Sequence, residues 1–214
     1  MAVREIVSER CAELGISTVS TSYDGRNAFA SISFDELDRI VAQVTPHDST
    51  RRILEQRFRS AFATVTAIDG EVSFRIGSGS LPGDTIACDY FRWAFSPKVE
   101  RWAQQLAERP NGKILHAVHP ITHELIDLSY SIYADDIERD QVFPPAVSET
   151  QVVEELKYID QVLDENLIPI GIHQNATKKE HLPKLKGIES GRVNQALLSN
   201  NTGVVGNVMP SFKY

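Results

Sequence analysis

The run Tyr130-Ser-Ile-Tyr-Ala-Asp-Asp-Ile137 decides how this chain is read. Leu125, Ile126, Leu128, Ile132 and Tyr133 share its apolar, alternating character, which suits a half-buried strand. Inside it stand two adjacent carboxylates, Asp135 and Asp136. Acids are depleted in strands, and like charges side by side repel. A pair placed there needs compensation, most simply from a divalent cation. Two-metal phosphoryl-transfer chemistry uses carboxylates on rigid backbone to hold Mg²⁺ ions roughly 3.5–4 Å apart. The plain alternative is a hairpin turn, because Asp tolerates turn geometry. The dipeptide alone leaves both readings open.

A site for two ions needs a third carboxylate from another strand. Asp24 is the best candidate. It follows the β-branched run Ile16-Ser-Thr-Val-Ser-Thr-Ser-Tyr23. Read alone, Asp24-Gly25 is an ordinary turn.

The surrounding chain is mixed. Helices are expected over 3–14, 34–44, 48–59, 85–108 and from Ser148 or Thr150 to about Asn166. Residues 61–68 and 71–76 flank Asp69-Gly70, a hairpin signal. Strands are expected at 113–118 and 167–173, and a hairpin over 125–142 with the acid pair at its tip. Residues 187–209 are weakly patterned. The order is not a regular βαβ alternation, which points to an α+β fold with helices on one face of a sheet.

The 214 residues can bury a sizeable core, and 42% hydrophobic with 24% charged residues is ordinary for a globular protein. No apolar run approaches the roughly 20 residues that span a bilayer, and the N-terminus lacks an apolar signal core. No membrane partner is expected. Cys11 and Cys88 form no disulfide framework, so an intracellular location is expected, with nucleus and cytoplasm undecided. The net charge of −7 argues against free-standing affinity for nucleic acid. A locally acidic, metal-binding polymerase core with basic surface on neighbouring domains remains compatible with it.

Four motifs, in order, carry a resemblance. Asp24-Gly-Arg-Asn-Ala-Phe29 has an acid followed by Ala-Phe. Gly79-Ser-Leu-Pro-Gly-Asp-Thr-Ile-Ala-Cys-Asp-Tyr-Phe91 follows it, then Tyr133-Ala-Asp-Asp136, then Gly171-Ile-His-Gln-Asn-Ala-Thr-Lys-Lys-Glu180. Ser211-Phe-Lys-Tyr214 is similar to the start of a fifth. Together they resemble the palm domain of reverse transcriptases of the non-LTR retrotransposon and group II intron kind, over nearly the whole chain. The resemblance implies a polymerase palm: an antiparallel sheet bearing the catalytic acids, with helices packed on one face. Residues 1–214 would be a palm fragment of a longer retroelement protein, without most of the fingers and all of the thumb.

The implied activity is RNA-templated DNA synthesis, transferring a nucleotide from dNTP to the 3′-hydroxyl of a DNA or RNA primer. Asp24, Asp135 and Asp136, helped by the Gly25 carbonyl, would hold two Mg²⁺ ions, with Mn²⁺ as a substitute. Lys178 would donate a proton to the pyrophosphate or screen its charge, with Lys179 as the alternative. Backbone around Asn27 and Ala28 would cradle the triphosphate. Phe29 would sit under the sugar and exclude a 2′-hydroxyl. Gly83 would let backbone approach the template base or nucleotide, and Tyr133 would line the substrate site. Pro82 stands where the family usually has Gln, Thr85 and Cys88 where it has Pro. Two other readings compete: a non-catalytic relic that keeps the fold, and an RNA-dependent RNA polymerase, which Phe29 disfavours. His116, His119 and His123 have spacing that could suggest a metal site, but Pro120 breaks any helix through them, and loop histidines are the default.

Overall fold

The computed structural model describes residues 2–80, 84–109, 115–199 and 203–210, and side chains from Ile6 onward. The chain divides into two compact units. One comprises Met1–Asp24, Ala103–Leu163 and Gln174–Tyr214; the other comprises Gly25–Trp102 and Asp164–His173.

The first unit is built on a five-stranded sheet. Its strands are β1 (Ser17–Tyr23), β6 (Tyr130–Tyr133), β7 (Asp136–Phe143), β8 (Glu180–Lys184) and β9 (Asn207–Val208), in the order β6-β7-β1-β8-β9. All pairs are antiparallel except β8–β9. Helices α6 (Glu149–Leu167) and α7 (Ser190–Leu198) bury one face of it: Val19 and Phe143 pack with Val152, Val153 and Leu156 of α6 and with Val193 and Leu197 of α7. Side chains alternate along a strand, so Thr18 and Ser20 point the other way. There Ser20 donates to the buried Asp140. Helix α1 (Ala2–Glu13) reaches this unit's sheet through Lys184 Nζ, which donates to Ser8 Oγ at 2.6 Å. A separate hairpin joins β4 (His116–Val118) to β5 (Leu125–Asp127).

The second unit holds the short α2 (Ala28–Ser31), α3 (Phe34–Val44), α4 (Asp48–Arg59), the ribbon β2 (Phe62–Ala67) with β3 (Gly70–Arg75), and most of α5 (Ala87–Ala107). Ser33 caps α3 by accepting from the Glu36 N–H. Leu37, Ile40 and Val41 of α3, Phe58 of α4 and Tyr90, Phe91 and Phe95 of α5 are buried. The rings interlock, with Phe58–Tyr90 at 5.9 Å and Phe91–Phe95 at 4.8 Å.

Three expectations are corrected. Leu125–Asp127 does not extend the acid-bearing hairpin but pairs with β4. The break lies at Asp127–Ser129, where the Asp127 carboxylate accepts from the Ser129 N–H at 2.7 Å and turns the chain. Residues 167–173 form no strand. Pro169 sits in a 3-10 turn over Ile168–Ile170, and Gly171 closes it at φ +92°. The weakly patterned C-terminal stretch contains α7 and β9. Pro183 lies within β8, an interior strand, but β9 pairs only with Glu180 and His181 and so makes no demand on the missing N–H.

Candidate active site

β1 ends at Tyr23, which pairs with Ile137 of the antiparallel β7. Asp24 therefore leaves β1 at the end of the sheet where Asp136 begins β7. Tyr133 pairs with Asp136, which leaves Ala134 and Asp135 as a two-residue hairpin loop. The acid pair is thus divided between turn and strand: Asp135 is half-buried in the loop, and Asp136 is exposed. Ala134 has φ 55°, in the left-handed region that residues with a Cβ seldom occupy. The sheet accepts local strain at the residue that sets Asp135 in place.

Asp24 is only 20% exposed and both of its oxygens are engaged. Lys178 Nζ donates to Oδ1 at 3.1 Å, and Asn175 Nδ2 donates to Oδ2 at 2.9 Å. The Asn175 carbonyl accepts from the main-chain N–H groups of Lys178 and Lys179, at 3.1 and 3.0 Å. This turn sends the two lysines to opposite fates. The Lys178 side chain is 66% exposed, whereas that of Lys179 is 1% exposed. The Lys179 ammonium pairs with Asp160 of α6, donates to Gln174 Oε1 at 3.0 Å and lies 4.7 Å from the Tyr23 ring centre. Lys179, the alternative proton donor, is therefore a structural cation under the sheet.

The electrostatics of this end are those of crowded acids. Partial desolvation of this exposed residue, then the charges of Asp135, Asp24 and Glu138, push the Asp136 carboxyl above the usual carboxylate range, and Lys178 opposes them. Asp136 is thus within electrostatic reach of Asp24, Asp135 and Lys178. An all-oxygen, all-carboxylate donor set suits a hard cation such as Mg²⁺ or Mn²⁺ rather than zinc. Among the described residues, no group of three or more acids, histidines or cysteines is already arranged to hold a metal ion. The chemistry of the donors fits such an ion; their spacing would have to tighten around it.

The other expected site residues are placed as follows. Tyr133, on β6 beside the loop, is 84% exposed. Gly25, Asn27, Ala28 and Phe29 belong to the second unit. Asn27 has φ 49° and precedes α2, Ala28 is buried, and Phe29 stacks on Phe91 with ring centres 4.5 Å apart. Gly83 lies outside the described residues. The three histidines belong to the β4–β5 hairpin: His119 Nδ1 accepts from the N–H of Thr122 at 3.0 Å, and His116 pairs across from Asp127. Asn175 sits inside the fourth motif, yet its grip on Asp24 was not foreseen from sequence, and neither was the buried Lys179–Asp160 pair.

Comparison of the sequence with family models and with curated proteins finds no match. Comparison of the structure does. Telomerase from Candida tropicalis in complex with a fragment of telomeric RNA matches with a TM-score of 0.55 at 10% identity, over 85% of this chain and 29% of that one. Apo telomerase from the same organism, truncated of its C-terminal domain, matches with a TM-score of 0.54 at 12% identity, over 87% of this chain and 35% of the other. The fold is reverse-transcriptase-like. This chain spans about a third of the length of the telomerase chains it matches. Among its described residues, no helix is long and apolar enough to cross a membrane.

Proposed function

We propose that the chain is the palm of a nucleotidyltransferase that adds deoxynucleotides to a primer 3′-hydroxyl on an RNA template. The observation that carries this reading is the convergence of Asp24 with Asp135 and Asp136 at one end of a reverse-transcriptase-like sheet. Two Mg²⁺ ions, or Mn²⁺ in their place, would lower the pKa of the primer hydroxyl and neutralise charge on the triphosphate. Asp24 and Asp135 would be the main ligands, with Asp136 and the Gly25 carbonyl assisting. Lys178 is exposed, and its ammonium can leave Asp24 for the pyrophosphate, where it supplies a proton or screens charge. From the motifs, Phe29 would limit the sugar to the deoxy form, and Asn27, Ala28, Gly83 and Tyr133 are assigned to nucleotide and template binding.

An RNA template is the natural partner on this reading, since one matching telomerase structure holds a telomeric RNA fragment. Primer, dNTP and the remaining domains of a longer retroelement protein complete the set of partners. The non-LTR or group II kind of parent element rests on the four sequence motifs. A second reading, a non-catalytic relic, is favoured by one observation: Pro82 stands where the family usually has Gln.

Primer extension on an RNA template tests the two against each other. Incorporation of dNTP in preference to rNTP, falling at least about 100-fold in Asp135→Ala, is expected. Equal incorporation by Asp135→Ala would overturn the mechanism. A preference for rNTP would point to an RNA polymerase. No incorporation together with no Mn²⁺ binding at roughly millimolar levels would favour the relic.

A further inference from the structure

Asp24 is gripped from a fixed point. The Asn175 main-chain N–H donates to the Asp24 carbonyl at 2.9 Å while its side-chain amide donates to Oδ2, also at 2.9 Å. The orientation of that amide is set by its other end, because Asn175 Oδ1 accepts from the Thr177 hydroxyl at 2.8 Å. A carboxylate can only accept, so the NH₂ group must face Asp24. The Asn175 carbonyl in turn holds the main chain of Lys179, whose ammonium is locked to Asp160 beneath the sheet. The path from the buried ion pair to the Asp24 carboxylate is therefore continuous.

The two donors on Asp24 differ in kind. Lys178 brings a full charge on an exposed, flexible stem and stands at Oδ1 where a cation would compete with it. Asn175 brings no charge. It can hold Oδ2 in place and leave the carboxylate's charge available at Oδ1.

We infer that Asn175 is a positioning residue: its side-chain amide, oriented by Thr177, fixes the Asp24 carboxylate so that the other oxygen is presented to a divalent cation. This rests on the proposed metal-dependent reading of the same acids. Hydrogen-bond partners that orient a metal-ligating carboxylate or imidazole commonly alter affinity by about 10–100-fold when removed.

The test is a Mn²⁺ titration of the full chain followed by electron paramagnetic resonance, with thermal melting in parallel. Asn175→Ala is expected to weaken Mn²⁺ binding by about 10-fold or more at an unchanged Tm. Thr177→Val keeps every main-chain bond of the turn and is expected to weaken binding by a smaller factor. It serves as the deciding variant should Asn175→Ala fail to fold. Asp24→Asn sets the baseline. Loss of binding in Asp24→Asn, with both other variants at wild-type affinity, would overturn the role of Asn175 and leave the metal-dependent reading standing. Equal Mn²⁺ binding by wild type and Asp24→Asn would overturn that reading and this inference with it.

Discussion

At the scale of single residues, the site is a contest between a lysine and a cation for one oxygen. Removing Lys178 removes the competitor. Lys178→Ala should tighten binding of Mn²⁺ alone by about two- to five-fold, the worth of an exposed pair, and yet slow dNTP incorporation. Isothermal titration and primer extension read the two effects; weaker metal binding in this variant would contradict the stand-in role. Stability should change by less than about 1 kcal/mol, since the lysine is mostly exposed. Gly171 makes the opposite case, structural and unforgiving. Its φ is +92°, and a Cβ there would lie 2.2 Å from the Ser31 carbonyl oxygen. Gly171→Ala should destabilise the second unit by more than about 2 kcal/mol, read by urea unfolding. In the sequence the three acids stood out through the adjacent pair inside an apolar, alternating run and through the order of the four motifs. Lys178 and Lys179 were not separable, because the fate of each depends on the turn set by Asn175 and on Asp160, which lies on another element.

At the scale of elements, α6 and β1 are joined by more than apolar packing. The Lys179–Asp160 pair and the Tyr23 ring lie at their meeting, all buried. Breaking a buried pair by removing one partner leaves an uncompensated charge. Asp160→Ala should therefore lower stability by about 3–5 kcal/mol in urea unfolding, and Asp160→Leu combined with Lys179→Met should recover most of it. A loss under about 1 kcal/mol in the single variant would contradict the anchor. Elements with strong local signals were legible. The Asp-Gly signal gave the β2–β3 ribbon, with Ile68 and Asp69 as its loop and Gly70 already paired to Ala67, and α3 and α4 lie where the helical spacing puts them. Elements whose identity is decided from outside were not. The run 167–173 reads as a strand by its isoleucines, but Pro169 and Gly171 bend it into a turn. α7 contains Gly191 and Asn194, poor helix formers, and holds its helix by burying Val193 and Leu197 one turn apart.

At the scale of the whole chain, one buried histidine ties stability to pH. His181 Nε2 donates to the Val205 carbonyl at 2.9 Å, and Nδ1 lies 2.9 Å from Thr21 Oγ1, an arrangement that suits a neutral ring with its proton on Nε2. Burial pulls its pKa down to about 4; the Val205 bond pulls the other way and the charge of Lys179 adds to the fall. Above pH 6.5 both folded and unfolded chains hold a neutral ring. Between 6.5 and 4 the unfolded chain takes up a proton that the folded one refuses, so stability falls with pH. The loss levels off below 4 at about 3 kcal/mol. His181→Asn should flatten that slope in urea unfolding between pH 7 and pH 4; identical slopes would contradict the assignment. Whether the three acids hold a divalent cation is read in a crystal of the chain soaked in Mn²⁺ and measured at an anomalous wavelength. A peak is expected at about 2.1 Å from carboxylate oxygens of both Asp24 and Asp135. No peak there, with Lys178 still on Asp24, would contradict the metal-dependent reading.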